Sequence, residues 1–498
     1  MDKKMMEKMQ GMAQGAKKMG MSVDAIRKMA LKMGMPESAI PAFNKAMGIE
    51  EPAAKSAAPA EHQRRAGMDG REILGRLKKL SQIESIKDVP QLTRALFPGT
   101  HCPLMGAEMA AAGIKDCLLV IVGTDECSYY TKGMTINDNW GGIGGRCVSV
   151  VLDSHDVTFG STKSMHDAFK EIMEEYKPGC VVLVTTCVIE VIGDDYDAIA
   201  AELEKEYGVP VLAVHTEHFK CEDHFPGLER TISACLRLME QPEQKSRRVN
   251  VLGQRMGRFD ETELYALLTA SGVEIGLQLP SGCTTEEIRR AAGAQVNVVV
   301  HNIALPLAQV MQAKFGVPYV YFNKFLGPER IRDSYEELYR YLTLPLPQAV
   351  AEKYEACKAK EWQLAAELAG VPYIYGNTPF DCFEFNAYLA SLKMVPQLIQ
   401  SNRFGEESGA DVAQILASCD PYICKAANIA PLRSVYDELH PWLYFGHEFA
   451  DVLRRKGIAD VHCDRAGSMM GFECNLFMLE NLAGSIKLAR QYRKEAGL

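Results

Sequence analysis

From about Gln91 onward the chain alternates between two hydrophobic rhythms. Short runs of β-branched and other apolar residues are each followed by a stretch with helical spacing. The runs predict strands over residues 118–123, 180–185, 209–215, 248–253, 274–279, 296–301 and 319–322. A helix is predicted over residues 196–207, between the second and third of these. The pattern recurs more weakly after Pro372, with strands near 420–424 and 459–463. Strands alternating with helices of this length imply βαβ units and parallel sheets, and several in succession imply a row of Rossmann-like domains.

Residues 1–50 have a different character, rich in Met and Lys. Ser22 suits a helix cap, and Ile26, Met29, Ala30 and Met33 share one face of the helix that would follow. A second short helix fits residues 37–47. This piece reads as a small helical appendage packing on the body or a neighbour, with a Met-lined docking surface as the alternative. Residues 51–65 are rich in Ala, Pro and charge and read as a linker. Polar residues 241–248 precede a fresh strand, and the Pro-interrupted stretch 343–352 precedes a helix. The expected fold is α/β, with three Rossmann-like domains over 91–245, 246–345 and 370–498. A Met-rich extension (1–50), a linker and helix (51–90) and a connecting helix (346–369) complete it.

Composition narrows the function classes. The 498 residues suit roughly three domains, and 47% hydrophobic with 24% charged residues is ordinary for a globular protein. A net charge of -9 argues against nucleic acid as the main partner. The longest apolar runs, 117–122 and 180–184, have strand length and fall far short of a membrane span. The N-terminus lacks the apolar core of a secretory signal. A cytoplasmic protein without a membrane partner is expected. Fifteen cysteines in a reducing compartment are then not disulfides; most are expected to be core residues and a minority metal ligands.

Three cysteines stand near predicted strand ends in loops of small or turn-forming residues: Cys102 in His101-Cys-Pro-Leu-Met-Gly-Ala107, Cys127 in Gly123-Thr-Asp-Glu-Cys127, and Cys187 after Thr185-Thr186. Loops at the carboxyl ends of parallel strands converge on one crevice, and three thiolates there suit iron–sulfur ligation. Spacing alone does not establish this, since no CxxC pair is present. His215, His218, Cys221 and His224 lie close in sequence, and zinc, a proton relay and plain loop polarity all fit them. Gly141-Gly-Ile-Gly-Gly145 lacks the Lys-Ser/Thr of a phosphate loop, so nucleotide hydrolysis is expected in a partner.

Several segments in order resemble the nitrogenase component 1 superfamily: Cys102-Pro-Leu-Met-Gly-Ala107, Asp156-Val-Thr-Phe-Gly160, Thr186-Cys-Val-Ile-Glu-Val-Ile-Gly-Asp-Asp195, Val298-Val-Val-His301, Phe315-Gly-Val-Pro318 and Phe325-Leu-Gly-Pro328. The superfamily also includes dark-operative protochlorophyllide reductase and nickel-sirohydrochlorin reductive cyclase. The resemblance implies that Cys102, Cys127 and Cys187 ligate an iron–sulfur cluster at a subunit interface, either one [4Fe–4S] or an eight-iron cluster. It implies an ATP-hydrolysing [4Fe–4S] reductase protein as electron donor. A second component 1 subunit would complete the cluster, as homodimer or heteromer.

The chain departs from nitrogenase where the cofactor would be held. Asn302 stands at the place of the cofactor's cysteine, and Met470, in Gly467-Ser-Met-Met-Gly-Phe472, at the place of its histidine. Neither supplies a thiolate or imidazole, so dinitrogen reduction is not expected. Cys283 and His301 are the candidate replacement ligands or proton donors. Cys419, Cys424, Cys463 and Cys474 are expected in the core. The expected function is an iron–sulfur subunit of an ATP-dependent two-component reductase acting on another substrate, such as a tetrapyrrole, with a further metallocofactor as an option. The alternatives are a non-catalytic scaffold for metallocofactor assembly and the relay subunit of a heteromer.

Overall fold

The computed structural model describes residues 69–92, 101–135, 143, 145–221, 223–255, 257–322, 327–425 and 429–498, all within the compact unit Met68–Leu498. The expected Met-rich extension and linker, and parts of the 141–145 and 325–328 segments, lie outside the described residues.

The strands in chain order are β1 (Lys78–Lys79), β2 (Cys117–Gly123), β3 (Cys147–Val151), β4 (Cys180–Thr185), β5 (Val211–His215), β6 (Arg248–Gln254), β7 (Glu274–Pro280), β8 (Val296–Val299), β9 (Tyr319–Tyr321), β10 (Pro372–Tyr375), β11 (Val395–Gln400), β12 (Tyr422–Cys424), β13 (Leu443–Phe445) and β14 (Ala459–Asp460). They form three sheets with orders β3-β2-β4-β5, β7-β6-β8-β9 and β1-β12-β11-β10-β13-β14. Every pairing is parallel except that of β1 with β12. The α/β architecture with several parallel sheets is the one the alternation predicts.

Continuous apolar runs such as β2 and β4 follow from burial on both faces. Leu119, Ile121, Val182 and Val184 enter one hydrophobic core, while Leu118, Val120, Val122, Val181 and Leu183 enter another on the opposite face. Side chains alternate across a strand, so one run feeds two cores. Each such residue contributes about 1.5–3 kcal/mol by leaving water.

The differences from the sequence reading have local causes. The strand expected from 209 begins at Val211, because Pro210 has no N–H for the ladder. The strand expected to reach 301 stops at Val299, because His301 turns away to cap the short helix Asn302–Ala304. The edge strand β3 escaped notice because it is mostly half-exposed and has no clean alternation.

Candidate functional site

Two glycines set the geometry of the site. The helix Pro103–Ala112 crosses the helix Phe225–Ala234 so closely that a Cβ on Gly106 would lie 1.8 Å from the His224 carbonyl oxygen. A Cβ on Gly227 would lie equally close, 1.8 Å, to the Pro103 carbonyl oxygen. Residues without a Cβ allow backbones to approach in this way. Cys102 is the N-cap of the first helix and His224 that of the second. The crossing therefore joins two helix starts, and the rings of His101 and His224 come to 6.2 Å.

The other two cysteines arrive on the ends of β2 and β4. Cys127 is in the first turn of the helix Asp125–Thr135, and Cys187 is the first residue of the helix Cys187–Ile192. The two strand ends nest, since a Cβ on Gly123 would lie 2.1 Å from Thr186 Oγ1. All three thiols are half-buried. Each stands at a helix N-terminus, where the positive dipole end favours a thiolate. Burial first, then the neighbouring Cys127 and, more weakly, Cys102, pushes the Cys187 thiol up. The three groups are thus within electrostatic reach, and as bare thiolates they would repel. Among the described residues, their sulfurs do not all lie within 4.8 Å of one another. A single tetrahedral ion with bonds of about 2.3 Å would need sulfurs less than about 4 Å apart. The donor type, the helix starts and the wider spread fit an iron–sulfur cluster. On the same helix as Cys102, Glu108 is buried with Oε2 lacking a hydrogen-bond partner, and burial pushes its carboxyl up to about 8.

Beside the cysteines, a cavity of about 360 Å³ opens where the carboxyl ends of strands from the three sheets meet. His101 and Met109, from the Cys102 segment, line it. A row of rings follows the wall, with His224 stacked on Phe225 at 4.5 Å and Phe225 on His301 at 5.5 Å. His301 Nδ1 accepts the Ile303 N–H at 3.2 Å, which fixes a neutral imidazole with its proton on Nε2. Burial drives His224 down to about 3, with Arg255, His101 and Arg403 adding to it, so this imidazole is neutral at pH 7. Burial likewise lowers Arg255 to about 10, and Arg403 adds to the shift. A larger hollow of about 1200 Å³ adjoins and shares Met109, Arg255, His447 and Asp464 with the cavity.

The structure separates the residues singled out from sequence. Asn302 lines the cavity and donates from Nδ2 to Asp381 Oδ2 at 2.6 Å. Asp381 also accepts the N–H groups of Phe383 and Glu384 as a helix cap, and burial raises its pKa. Met470 is 1% exposed and packs in the core of the second sheet's layer with Tyr335 and Phe472. Cys283 is buried in the core and borders the larger hollow, and burial holds its thiol far above the usual range. Cys424, Cys463 and Cys474 are core residues, and Cys419 packs against the core. The dense histidine segment diverges. His215 meets Asp197 at 3.1 Å, Cys221 directs its thiol to the Thr216 carbonyl at 3.5 Å, and His224 alone of the four lines the cavity.

Sequence reasoning missed Arg255, Arg403 and Asp381. The usable signal was position, since they follow directly or closely on β6, β11 and β10, where parallel strands present ligand-binding loops. It also missed Asp153, His155 and the buried Asp156, whose polar atoms lie within 4.8 Å of one another. Helix capping accounts for that trio, because Asp153 accepts the N–H groups of the other two.

Comparison with known proteins adds an independent line. The family model described as nitrogenase component 1 type oxidoreductase matches residues 102–487. The nitrogenase molybdenum-iron protein alpha chain of Clostridium pasteurianum is 27% identical over 281 residues, covering 54% of this chain and 51% of that one. The nitrogenase iron-molybdenum cofactor biosynthesis protein NifE of the same organism is 27% identical over 270 residues, covering 53% and 57%. The chain thus spans about half the length of the curated relatives it matches. A solved structure of nitrogenase Cp1 at pH 6.5 superposes with a TM-score of 0.69 at 17% identity, covering 79% of this chain and 93% of that one. That likeness shows the fold.

Proposed function

The chain belongs to the nitrogenase component 1 type oxidoreductases, and on that premise we propose that it is the iron–sulfur subunit of an ATP-dependent two-component reductase whose substrate is not dinitrogen. Cys102, Cys127 and Cys187 would hold the cluster, four-iron or eight-iron, with a second component 1 subunit completing its ligation. A separate [4Fe–4S] reductase protein would supply electrons, and the bound cluster would store and relay them one at a time. The observation that carries this reading is the adjacency of Cys102 and His101. One residue belongs to the thiol group and the next lines the cavity, so the electron-accepting and substrate-holding regions share a single turn of chain. The chain's own residues then have definite tasks. Tyr130 holds the His101 ring through Nδ1, and the neutral His224 and His301 can each hydrogen-bond a ligand from the wall. Asn302 and Asp381 bind one another at the wall and close the place where a metal thiolate would stand.

That same pair favours a second reading, an assembly scaffold. A cavity lined by Asn302 but not by Met470 has neither thiolate nor imidazole at these two positions, which suits cargo that must leave. One of the relatives is named as a cofactor biosynthesis protein.

Anaerobic purification with iron and sulfide analysis, followed by electron paramagnetic resonance of the reduced protein, tests the cluster. About four irons per dimer supports one shared cubane, and about eight or more supports a nitrogenase-like cluster. Soundly folded, anaerobically made protein without iron would refute both readings. Substrate-dependent turnover with the reductase protein and ATP would favour the enzyme, and transfer of a bound metallocofactor to an acceptor the scaffold.

A further inference from the structure

Two guanidiniums converge on one ring at the cavity wall. The guanidinium carbons of Arg255 and Arg403 stand 5.0 Å and 4.4 Å from the Phe225 ring centroid, so both cations share one ring. Arg255 has no carboxylate or carbonyl acceptor within hydrogen-bond distance among the described residues. The carboxylate near Arg403 is that of Asp223, with Nε and Oδ2 3.8 Å apart, and Asp223 already accepts the Phe225 N–H at 3.0 Å. Asp381 is engaged by Asn302 and two backbone N–H groups. Glu407 and Asp464 also line the cavity but are exposed at its rim. Asp223 and Asp381 offset the two guanidiniums in charge, but the N–H donors of the half-buried Arg255 have no acceptor among the described residues of the wall, and a ligand's oxygens would supply one. The helix Phe225–Ala234 adds its positive end at the same wall. His224 Nδ1 is buried without a hydrogen-bond partner. Phe380 and Phe383 from the third sheet's layer add apolar surface to a lining that is otherwise mixed.

We propose that the cavity takes a small organic anion, its oxyanion group (carboxylate or phosphate) held by Arg255 and Arg403 and its apolar body lying against Phe225, Phe380 and Phe383. The inference rests on the cavity being the substrate or cargo site, and it names the chemical class of that ligand. Guanidinium groups match the paired oxygens of such anions with two parallel hydrogen bonds. A volume of about 360 Å³ suits a compact ligand with a single ring. Neutral imidazoles at His224 and His301 can then hydrogen-bond the anion without competing for its charge.

The test is thermal unfolding of the full chain at constant ionic strength with benzoate, phenyl phosphate, the neutral benzyl alcohol, or chloride alone. Benzoate or phenyl phosphate is expected to raise the midpoint by about 2–4 °C beyond benzyl alcohol and chloride. The larger of the two shifts tells carboxylate from phosphate. Arg255→Met and Arg403→Met should each lose most of that shift. In anion-free buffer Arg255→Met should unfold no lower than the parent, because the N–H donors it removes have no acceptor. The proposal is overturned if neither anion exceeds benzyl alcohol, if both variants respond like the parent, or if Arg255→Met is destabilised without anion. Iron is measured on the same preparations. A colourless protein that still shows the anion shift fails the cluster reading and keeps this one, and an iron-replete protein without the shift does the reverse.

Discussion

Replacing Gly106 by Ala probes the joint on which the whole site depends. The new Cβ would stand 1.8 Å from the His224 carbonyl oxygen, whereas ordinary contact begins near 3.4 Å. The obstacle is backbone, so no side chain can swing aside, and the two helices must part by about 1.5 Å. Overpacking of this kind costs about 1–3 kcal/mol, and parting the helices loosens contacts along both. The gain from alanine's helix propensity, about 1 kcal/mol, offsets part of it. A net loss of up to about 2 kcal/mol is expected. Gly484 is the internal control. It lies exposed in the helix Phe472–Ala496 with nothing within 4 Å of its would-be Cβ, so Gly484→Ala should stabilise by about 0.5–1 kcal/mol. Denaturant unfolding followed by circular dichroism measures both. Iron analysis of the same proteins measures the consequence, since Cys102 caps the displaced helix and its cluster occupancy should fall. If Gly106→Ala proves as stable as Gly484→Ala and keeps full iron, the close crossing does not position the site.

Cys187→Ala should bring iron and visible absorbance to background, and parental values in the purified variant would sink the ligand assignment. Glu190 accepts from the Thr185 and Thr216 hydroxyls at 3.0 and 3.1 Å and from the Glu217 N–H at 2.6 Å, tying the Cys187 helix to the end of β5. The hollow of about 320 Å³ beside it lets water reach the stranded donors, so Glu190→Ala should cost only about 2–3 kcal/mol, read by denaturant unfolding. Glu108 has a folded pKa of about 8, above its unfolded value, so its contribution is fully present below the unfolded value near 4.5 and is lost as pH rises toward 8. Glu108→Gln should therefore gain about 3–5 kcal/mol over the parent by pH 8 and nothing below pH 4.5; a pH-independent difference would contradict the burial argument. Asn302→Cys alone should add no iron beyond the cluster, because Met470 stays in the core; extra iron by elemental analysis would show that one thiolate suffices.

The sheets were legible because parallel strands covered on both faces are dominated by apolar residues, and β2 and β4 announce themselves in this way. The third sheet was harder. Strands such as β12 and β13 have three residues each, too few for periodicity to rise above noise. Its edge is completed by Lys78–Lys79, a dilysine that no hydrophobic pattern marks. At the site, the three cysteines could be selected because strand ends and small residues surround them. The arginines could not, because Arg255 and Arg403 look like two of many surface charges until the fold buries them around Phe225. Likewise His224 is one of four metal-capable residues in ten positions, and only the turn into the helix Phe225–Ala234 separates it from His215 and Cys221.

The two positions that depart from nitrogenase are absorbed by different means, and that difference bears on what the cavity is for. Met470 is taken into an apolar core, where it fills space beside Tyr335 and Phe472 and no longer reaches the cavity. Asn302 remains at the wall, but its amide is committed to Asp381, and Asp381 in turn caps the helix Cys382–Ser391. A site that had merely lost its metal would be expected to leave stranded donors or a void at these places. Instead Met470 is packed into the core and the Asn302 Nδ2 is committed to Asp381, while the Asn302 Oδ1 stays buried without a hydrogen-bond partner. Further groups without hydrogen-bond partners among the described residues are Arg255 and the His224 Nδ1, and His224 caps the helix that crosses the Cys102 helix. Polar groups are kept unsatisfied in a buried wall when a ligand completes them. If Cys102 holds the proposed cluster, the adjacent His101 at this wall is where a delivered electron would first meet a bound molecule.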